Sequence, residues 1–369
     1  MSVVKLLSSF ATFFKVRLEK PIVDNAIFRL HYRFTCVFFL ASSALITAVD
    51  LLGKPILCMA GDLKKPEPEL LNTFCWIQRT FTITVPSVDH AYPGVGPLPG
   101  SNSVDETVRI HAYYQWVPFV LFFQGLLFYL PHAIWKRQEA GMVGKLTKGA
   151  RELSLDSKEK ADEKKQRGSL LSDYLYETMG TRGYFGVCHV FCELFNLVNA
   201  MGNIYAIDTF LGGTFFDYGW KIFEISSLNQ WERHDKMARV FPRMAKCTFN
   251  TYGASGNIQN IDALCILPLN VFNEKIYIFV WFWLVILSVV SLMALFYRAL
   301  IVVSPVFRRY VFRRILPTAD PDSTFTLSQK LGYSDWLLLF LLGKNLQSDT
   351  FRELLNDLAG RLDRSQLEA

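Results

Sequence analysis

Long apolar stretches with at most one charged residue recur four times along this chain, and most other polar positions gather between them instead of alternating with the apolar ones. A helix rising about 1.5 Å per residue needs about 20 mostly apolar residues to cross roughly 30 Å of hydrocarbon. The first such segment is 31–49, whose charge-free centre, 34–49, is short enough that Arg33 snorkels to the headgroups. Residues 110–135 hold no Asp, Glu, Lys or Arg, and Pro118 and Pro131 within them are expected to bend the helix. Residues 183–207 hold one acid, Glu193, and 276–297 hold none. The apolar run 336–342 is too brief to span and predicts part of a packed helix.

Shorter patterns fill the intervals. Val3, Leu6, Leu7, Phe10, Phe13 and Phe14 fall at helical spacing with Lys5, Ser9, Thr12 and Lys15 opposite, which predicts an amphipathic helix; pattern alone favours one lying on the inner leaflet over one folded into a pore mouth. In the third apolar segment His189, Glu193, Asn196, Asn199 and Asn203 fall within about 120° of arc at 100° per residue. They suit interhelical hydrogen bonding better than an ion path, although either keeps that face from lipid. The residues around Cys75 and 80–85 are rich in β-branched and aromatic types and predict a short strand, while the Pro and Gly positions of 86–100 predict turns. The mixed run 158–167 reads as a solvated helix. Phe351, Leu354, Leu355, Leu358 and Leu362 predict a packed helix behind a cap at Ser348 or Asp349.

Composition fits a chain dissolved partly in lipid: 51% hydrophobic and 15% aromatic residues over 369 positions. The net charge of +6 is a topology signal more than a binding signal. Counting Arg33, six Lys and Arg precede position 34, eleven lie in 136–182 and nine follow position 303, whereas the two remaining loops carry at least as many acids as bases. Loops rich in Lys and Arg stay cytoplasmic. The expected organisation is therefore a cytoplasmic amphipathic helix at 1–30, spans at 31–49, 111–135, 183–210 and 275–303, extracellular loops at 50–110 and 211–274, a cytoplasmic loop at 136–182 and a helical cytoplasmic tail at 304–369. The first 20 residues lack the pattern of a cleavable leader, so the first span is expected to direct insertion. Attraction to anionic lipid is a secondary reading of the charge, and nucleic acid is not implied.

Cysteine placement agrees with that topology. Cys58 and Cys75 fall in the first outer loop and Cys247 and Cys265 in the second, where disulfides persist; Cys36, Cys188 and Cys192 lie within spans. Four cysteines allow three connectivities, and spacing does not choose among them. The spacing within each pair is too wide for a structural zinc site, and Cys188, His189, Cys192 and Glu193 lack further ligands nearby. Neither outer loop has an Asn-x-Ser/Thr sequon. No phosphate-cradling or metalloprotease motif is present, so neither an enzyme nor a cofactor is expected.

Tyr113-Tyr114-Gln115-Trp116-Val117, followed by Pro118 and an aromatic apolar run, resembles the signature of the innexins, the gap-junction proteins of invertebrates. Residues 25–32, 72–77, 241–249, 264–270, 273–283, Ser334-Asp335-Trp336 and Gly343-Lys344-Asn345-Leu346 are similar to further family segments in the same order. An insect member and a virus-borne relative fit the pattern equally. The chain departs from it at Asn250 and Ala254, where His and Pro are usual, and at Lys236, where Pro is common.

The resemblance implies an all-α membrane protein: a four-transmembrane-helix bundle with disulfide-stapled extracellular loops containing short strands, and a helical cytoplasmic domain. It implies pairing of Cys58 with Cys265 and of Cys75 with Cys247. It also turns the N-terminal helix into the pore, with Ser2, Lys5, Ser9 and Thr12 as candidate lining residues. The implied function is a subunit of a homo- or hetero-oligomeric gap-junction channel, an octamer, passing ions and small metabolites passively between adjacent cells whose hemichannels dock at the plasma membrane. The alternatives are a hemichannel that does not dock and a four-pass adhesion or scaffold protein.

Overall fold

A computed structural model of the chain describes residues 21–61, 67–83, 95, 108–152, 161–217, 219–220, 240–315 and 320–367. In chain order its elements are α1 (Ala26–Leu52), β1 (Leu57–Ala60), α2 (Pro68–Gln78), β2 (Thr80–Ile83), β3 (Val108–His111), α3 (Val117–Glu139), α4 (Met142–Glu152), α5 (Ala161–Glu177), α6 (Gly183–Phe210), β4 (Met244–Tyr252), β5 (Ile258–Ile266), α7 (Leu269–Val303), α8 (Pro305–Ile315), α9 (Pro321–Lys330), α10 (Tyr333–Gly343) and α11 (Ser348–Leu367). Helices α1, α3, α6 and α7 are long and apolar enough to cross a membrane. The chain divides into two compact units, one of residues 29–131 and 195–292, the other of 1–28, 132–194 and 293–369.

In the first unit the four long helices meet on a seam of Phe39 and Ile46 from α1, Val117, Leu121 and Phe128 from α3, Ala200 and Ile207 from α6, and Tyr277, Val280, Leu284 and Leu287 from α7. Gly125 lets α3 approach α1: a Cβ there would come within 3.0 Å of Leu40. A π-helical turn, Leu30–Thr35, interrupts α1. Thr35 Oγ1 donates to the Leu30 carbonyl at 3.0 Å and accepts from Trp283 Nε1 at 2.9 Å, which holds the looser turn in place.

The same unit carries a five-stranded antiparallel sheet in the order β1-β5-β4-β2-β3. Its longest strands, β4 and β5, pair from Met244 opposite Ile266 out to Tyr252 opposite Ile258. Their nine residues each exceed the short strands expected of the loops. The turn between them needs Gly256, whose φ is +80°, with Gly253 N donating to Asn257 O at 2.8 Å.

Two expectations fail here for local reasons. Cys75 sits in helix α2, not a strand, because Pro68 at the first helical position sets the helical φ and Leu71 and Cys75 then share its buried face; the strand begins only at Thr80. The second span starts at Val117: of the residues expected at its head, Ile110 and His111 close strand β3 (Val108–His111) and Tyr113–Gln115 form a 3-10 turn. Pro118 therefore falls in the first turn of α3, where no intrahelical N–H is needed, and only Pro131 lies inside.

In the second unit, α10 and α11 supply the core. Trp336, Leu337, Leu338, Leu339, Leu341 and Leu342 are buried, as are Phe351, Leu354, Leu355, Leu358 and Leu362. Gly343 has no room for a side chain, since a Cβ would lie 2.6 Å from the Phe351 ring. Arg361 of α11 pairs with Asp173 of α5 and with Asp357 one turn earlier.

Candidate functional site

Two regions carry the chemistry that the sequence singled out. The first is the sheet and its staples. Cys58 and Cys265 lie directly opposite on β1 and β5 and are joined by a disulfide, and a second disulfide joins Cys75 of α2 to Cys247 of β4. All four sulfurs are thereby consumed, although those of Cys58, Cys75 and Cys265 lie within 4.8 Å of one another as a metal site would require. Around them Ile56, Leu71, Ala245, Phe249 and Leu267 form a small core that is separate from the helical seam. A sheet with so few apolar residues under it is where a covalent staple contributes most.

The aromatic signature grips this staple. Tyr114 is buried, with its ring 4.5 Å from that of Trp76, and its hydroxyl donates to the carbonyls of Cys75 (3.5 Å) and Trp76 (3.4 Å). Gln115 Nε2 donates to the Trp76 carbonyl at 2.6 Å, capping the end of α2. Tyr113 packs edge-on against Phe241 at 5.6 Å, Val117 enters the helical seam, and Trp116 is exposed. The signature thus joins the head of a membrane helix to the backbone beside Cys75. Burial pushes the Tyr114 phenol up to about 12, so it stays a donor at any physiological pH. His111, at the end of β3, meets Thr82 Oγ1 at 2.8 Å, and burial followed by the Arg109 charge lowers its pKa to about 4.

Beyond the staples, β4 and β5 run out to an exposed tip. Asn250 stands opposite Asn260 there, and Asn250, Tyr252, Ala254, Ile258 and Asn260 are all exposed. Lys236 lies outside the described residues.

The second region anchors the root of the N-terminal segment. Asn25 Oδ1 accepts from Phe28 N at 2.6 Å, capping α1, while its Nδ2 donates to Glu193 Oε1 at 2.7 Å. Glu193 also receives a two-pronged bond from Arg298 of α7: Nε to Oε2 at 2.7 Å and Nη2 to Oε1 at 2.8 Å. His189 lies against the Trp135 ring at 4.7 Å, with Nδ1 4.0 Å from Glu193. Upstream, Ile22 is held through both backbone groups, its N donating to Asn345 Oδ1 at 2.6 Å and its carbonyl accepting from Asn345 Nδ2 at 2.9 Å. Ser334 and Asp335 secure the start of α6: Ser334 Oγ accepts from Gly186 N and donates to the Gly183 carbonyl, and Asp335 accepts from Gly180 N. Farther along α6, Asn196, Asn199 and Asn203 are buried, and Asn203 Nδ2 donates to Asn199. Ser2, Lys5, Ser9 and Thr12 lie outside the described residues.

Sequence reasoning passed over Arg298, although a lone acid in an apolar span demands a cation and Arg298 is the first one beyond the fourth apolar run. Asn25, Ser334 and Asn345 carry no signal of their own beyond the motifs in which they stand. Their roles come from backbone groups of distant segments, which no local pattern displays.

The innexin family model matches residues 24–362. The chain is 38% identical to innexin inx3 of Drosophila melanogaster, covering 99% of this chain and 92% of that protein. It is 39% identical to innexin inx2 of Schistocerca americana, covering 95% and 97%, and 39% identical to innexin shaking-B of Drosophila melanogaster, covering 95% and 93%. Four membrane-crossing helices, a disulfide-stapled sheet and this similarity along almost its whole length make the chain a member of the innexin family, the subunits of invertebrate gap-junction channels and not enzymes.

Proposed function

We propose that this chain forms a ring of eight subunits around an aqueous pore and docks head to head with a ring in the adjacent cell through the stapled sheet. The observation that carries this is the exposed β4–β5 tip, held at a fixed place by two disulfides while presenting Asn250, Tyr252, Ile258 and Asn260 outward. Side-chain amides can donate and accept at once, so paired asparagines suit a wet interface between like surfaces. Asn250 and Ala254 would then set which partner ring is accepted. The excess of Lys and Arg outside the sheet-bearing loops supports a cytoplasmic location for both termini. The amphipathic segment at positions 1–15 would fold into the pore with Ser2, Lys5, Ser9 and Thr12 toward water, and flow would be passive.

The test is current and dye transfer between paired cells that express only this chain. Coupling is expected with the native protein, and Asn250→Lys should abolish it while sparing single-cell currents, because a ring of like charges would face its mirror image. A surface-delivered native protein that gives single-cell dye uptake but no transfer would make it a hemichannel that does not dock.

A further inference from the structure

Helix α8 follows α7 after a break at Ser304, and Arg308 fixes the corner. Its guanidinium donates to the carbonyls of Ile301 (2.9 Å), Val302 (2.9 Å) and Leu331 (2.7 Å), satisfying groups that the end of a helix leaves open. One face of α8 is buried through Val311 and Phe312, the latter with its ring 5.5 Å from Trp336. The other face is uncovered among the described residues. Val306 is 77% exposed and Tyr310 58%, and Arg313 and Arg314 are exposed as well, at spacings of 4, 7 and 8 that form one stripe. Upstream the stripe runs into the membrane span α7 through Val303, 80% exposed, and Phe296, 66% exposed. Neither Arg313 nor Arg314 has an acidic partner among the described residues.

An apolar stripe, uncovered among the described residues, that leaves a membrane span, acquires a tyrosine and ends on two exposed guanidinium groups follows the polarity of a leaflet from acyl chain to headgroup. We propose that this face of α8 binds anionic phospholipid, with Val303 and Val306 against acyl chains, Tyr310 at the boundary and Arg313 and Arg314 on the headgroup phosphate. A basic side chain near an anionic surface contributes about fivefold in affinity, so the two arginines together supply about twenty-fivefold. The proposal rests on α7 crossing the membrane and not on which side α8 occupies.

The full chain, purified in detergent, would be titrated with phosphatidylserine or phosphatidylcholine and the retained lipid read by native mass spectrometry. Phosphatidylserine is expected to be retained in preference, and Arg313→Gln with Arg314→Gln should lower its retention about twenty-fivefold while leaving phosphatidylcholine retention and the size-exclusion profile unchanged. In nanodiscs, a fluorophore on Val306→Cys should be quenched by lipids brominated in their acyl chains. Equal retention of both lipids by the native chain, or undiminished phosphatidylserine retention by the variant, overturns the proposal. Absence of quenching together with cross-linking of Val306→Cys between subunits gives the face to a neighbouring copy and overturns it too.

Discussion

Replacing Glu193 or Arg298 tests whether the polar face of α6 is structural. Each side chain is 8% exposed, and the pair shares two charge-assisted bonds of 2.7 and 2.8 Å, with Asn25 adding a third at 2.7 Å. Removing one partner leaves the other charge buried without its counter-ion, which costs about 3–5 kcal/mol. Removing both takes away the charge along with the need to neutralise it. Glu193→Gln and Arg298→Met, which keep volume and stem, should each destabilise by that amount, and the double variant should fall short of their sum by about 2 kcal/mol or more. At on the order of 2 °C per kcal/mol, each single change lowers the melting midpoint of the purified oligomer by about 6–10 °C. The assay is size-exclusion chromatography after stepwise heating, run beside single-cell current measurements. Native midpoints for both single variants, or a double variant at the simple sum, would refute the reasoning. An altered ion selectivity for Glu193→Gln at a native midpoint would instead make Glu193 part of an ion path.

Cys58→Ser and Cys265→Ser should each cost about 2–5 kcal/mol and abolish coupling, and their double variant should be no worse than either alone; additive losses would argue against that bond. The same holds for Cys75→Ser and Cys247→Ser. His111, with its pKa lowered to about 4 in the fold, takes up a proton only on unfolding between about pH 6.5 and 4, so stability falls as pH drops through that window, by up to about 3 kcal/mol. His111→Gln should flatten this dependence in melts recorded at pH 7 and 4.5. Asn345→Ala removes both bonds to Ile22 and should shift channel gating at unchanged surface delivery, whereas native currents would show that the N-terminal root does not depend on this anchor.

The four spans were legible because burial in lipid imposes an unbroken apolar run that no neighbouring segment can override. The tail helix was legible for a similar reason, since Phe351, Leu354, Leu355 and Leu358 repeat on one face. Strands β4 and β5 left a weaker trace. Lys246 and Asp262 interrupt the apolar alternation, and the structure explains them as an ion pair at 2.9 Å across neighbouring strands. The sequence places the head of α3 too early because residues 110–116 carry no charge, like the apolar part of the helix that follows, and only the cross-strand partners Phe81 and Thr80 mark where pairing stops. The polar face of α6 was visible as a period, but its counter-charge lies 105 residues away on another helix.

The amide side chains recur for one physical reason. Wherever an irregular stretch meets a helix or strand end, backbone groups are left without regular partners, and near a membrane they cannot rely on water. A side-chain amide carries a donor and an acceptor in the geometry of a peptide group, so it can stand in for a missing strand. Asn345 does this for both groups of Ile22, Asn25 for the head of α1, Gln115 for the end of α2, Asn72 for Cys58 N at 2.7 Å, and Asn270 for the Pro242 carbonyl at 2.8 Å. A carboxylate could accept in these places but not donate, and a hydroxyl is too short to bridge both groups of one residue. These four asparagines and Gln115 are therefore joints between elements, and residues 22–25 are held by two of them, Asn345 tying Ile22 to α10 and Asn25 reaching the Glu193–Arg298 pair, before α1 begins.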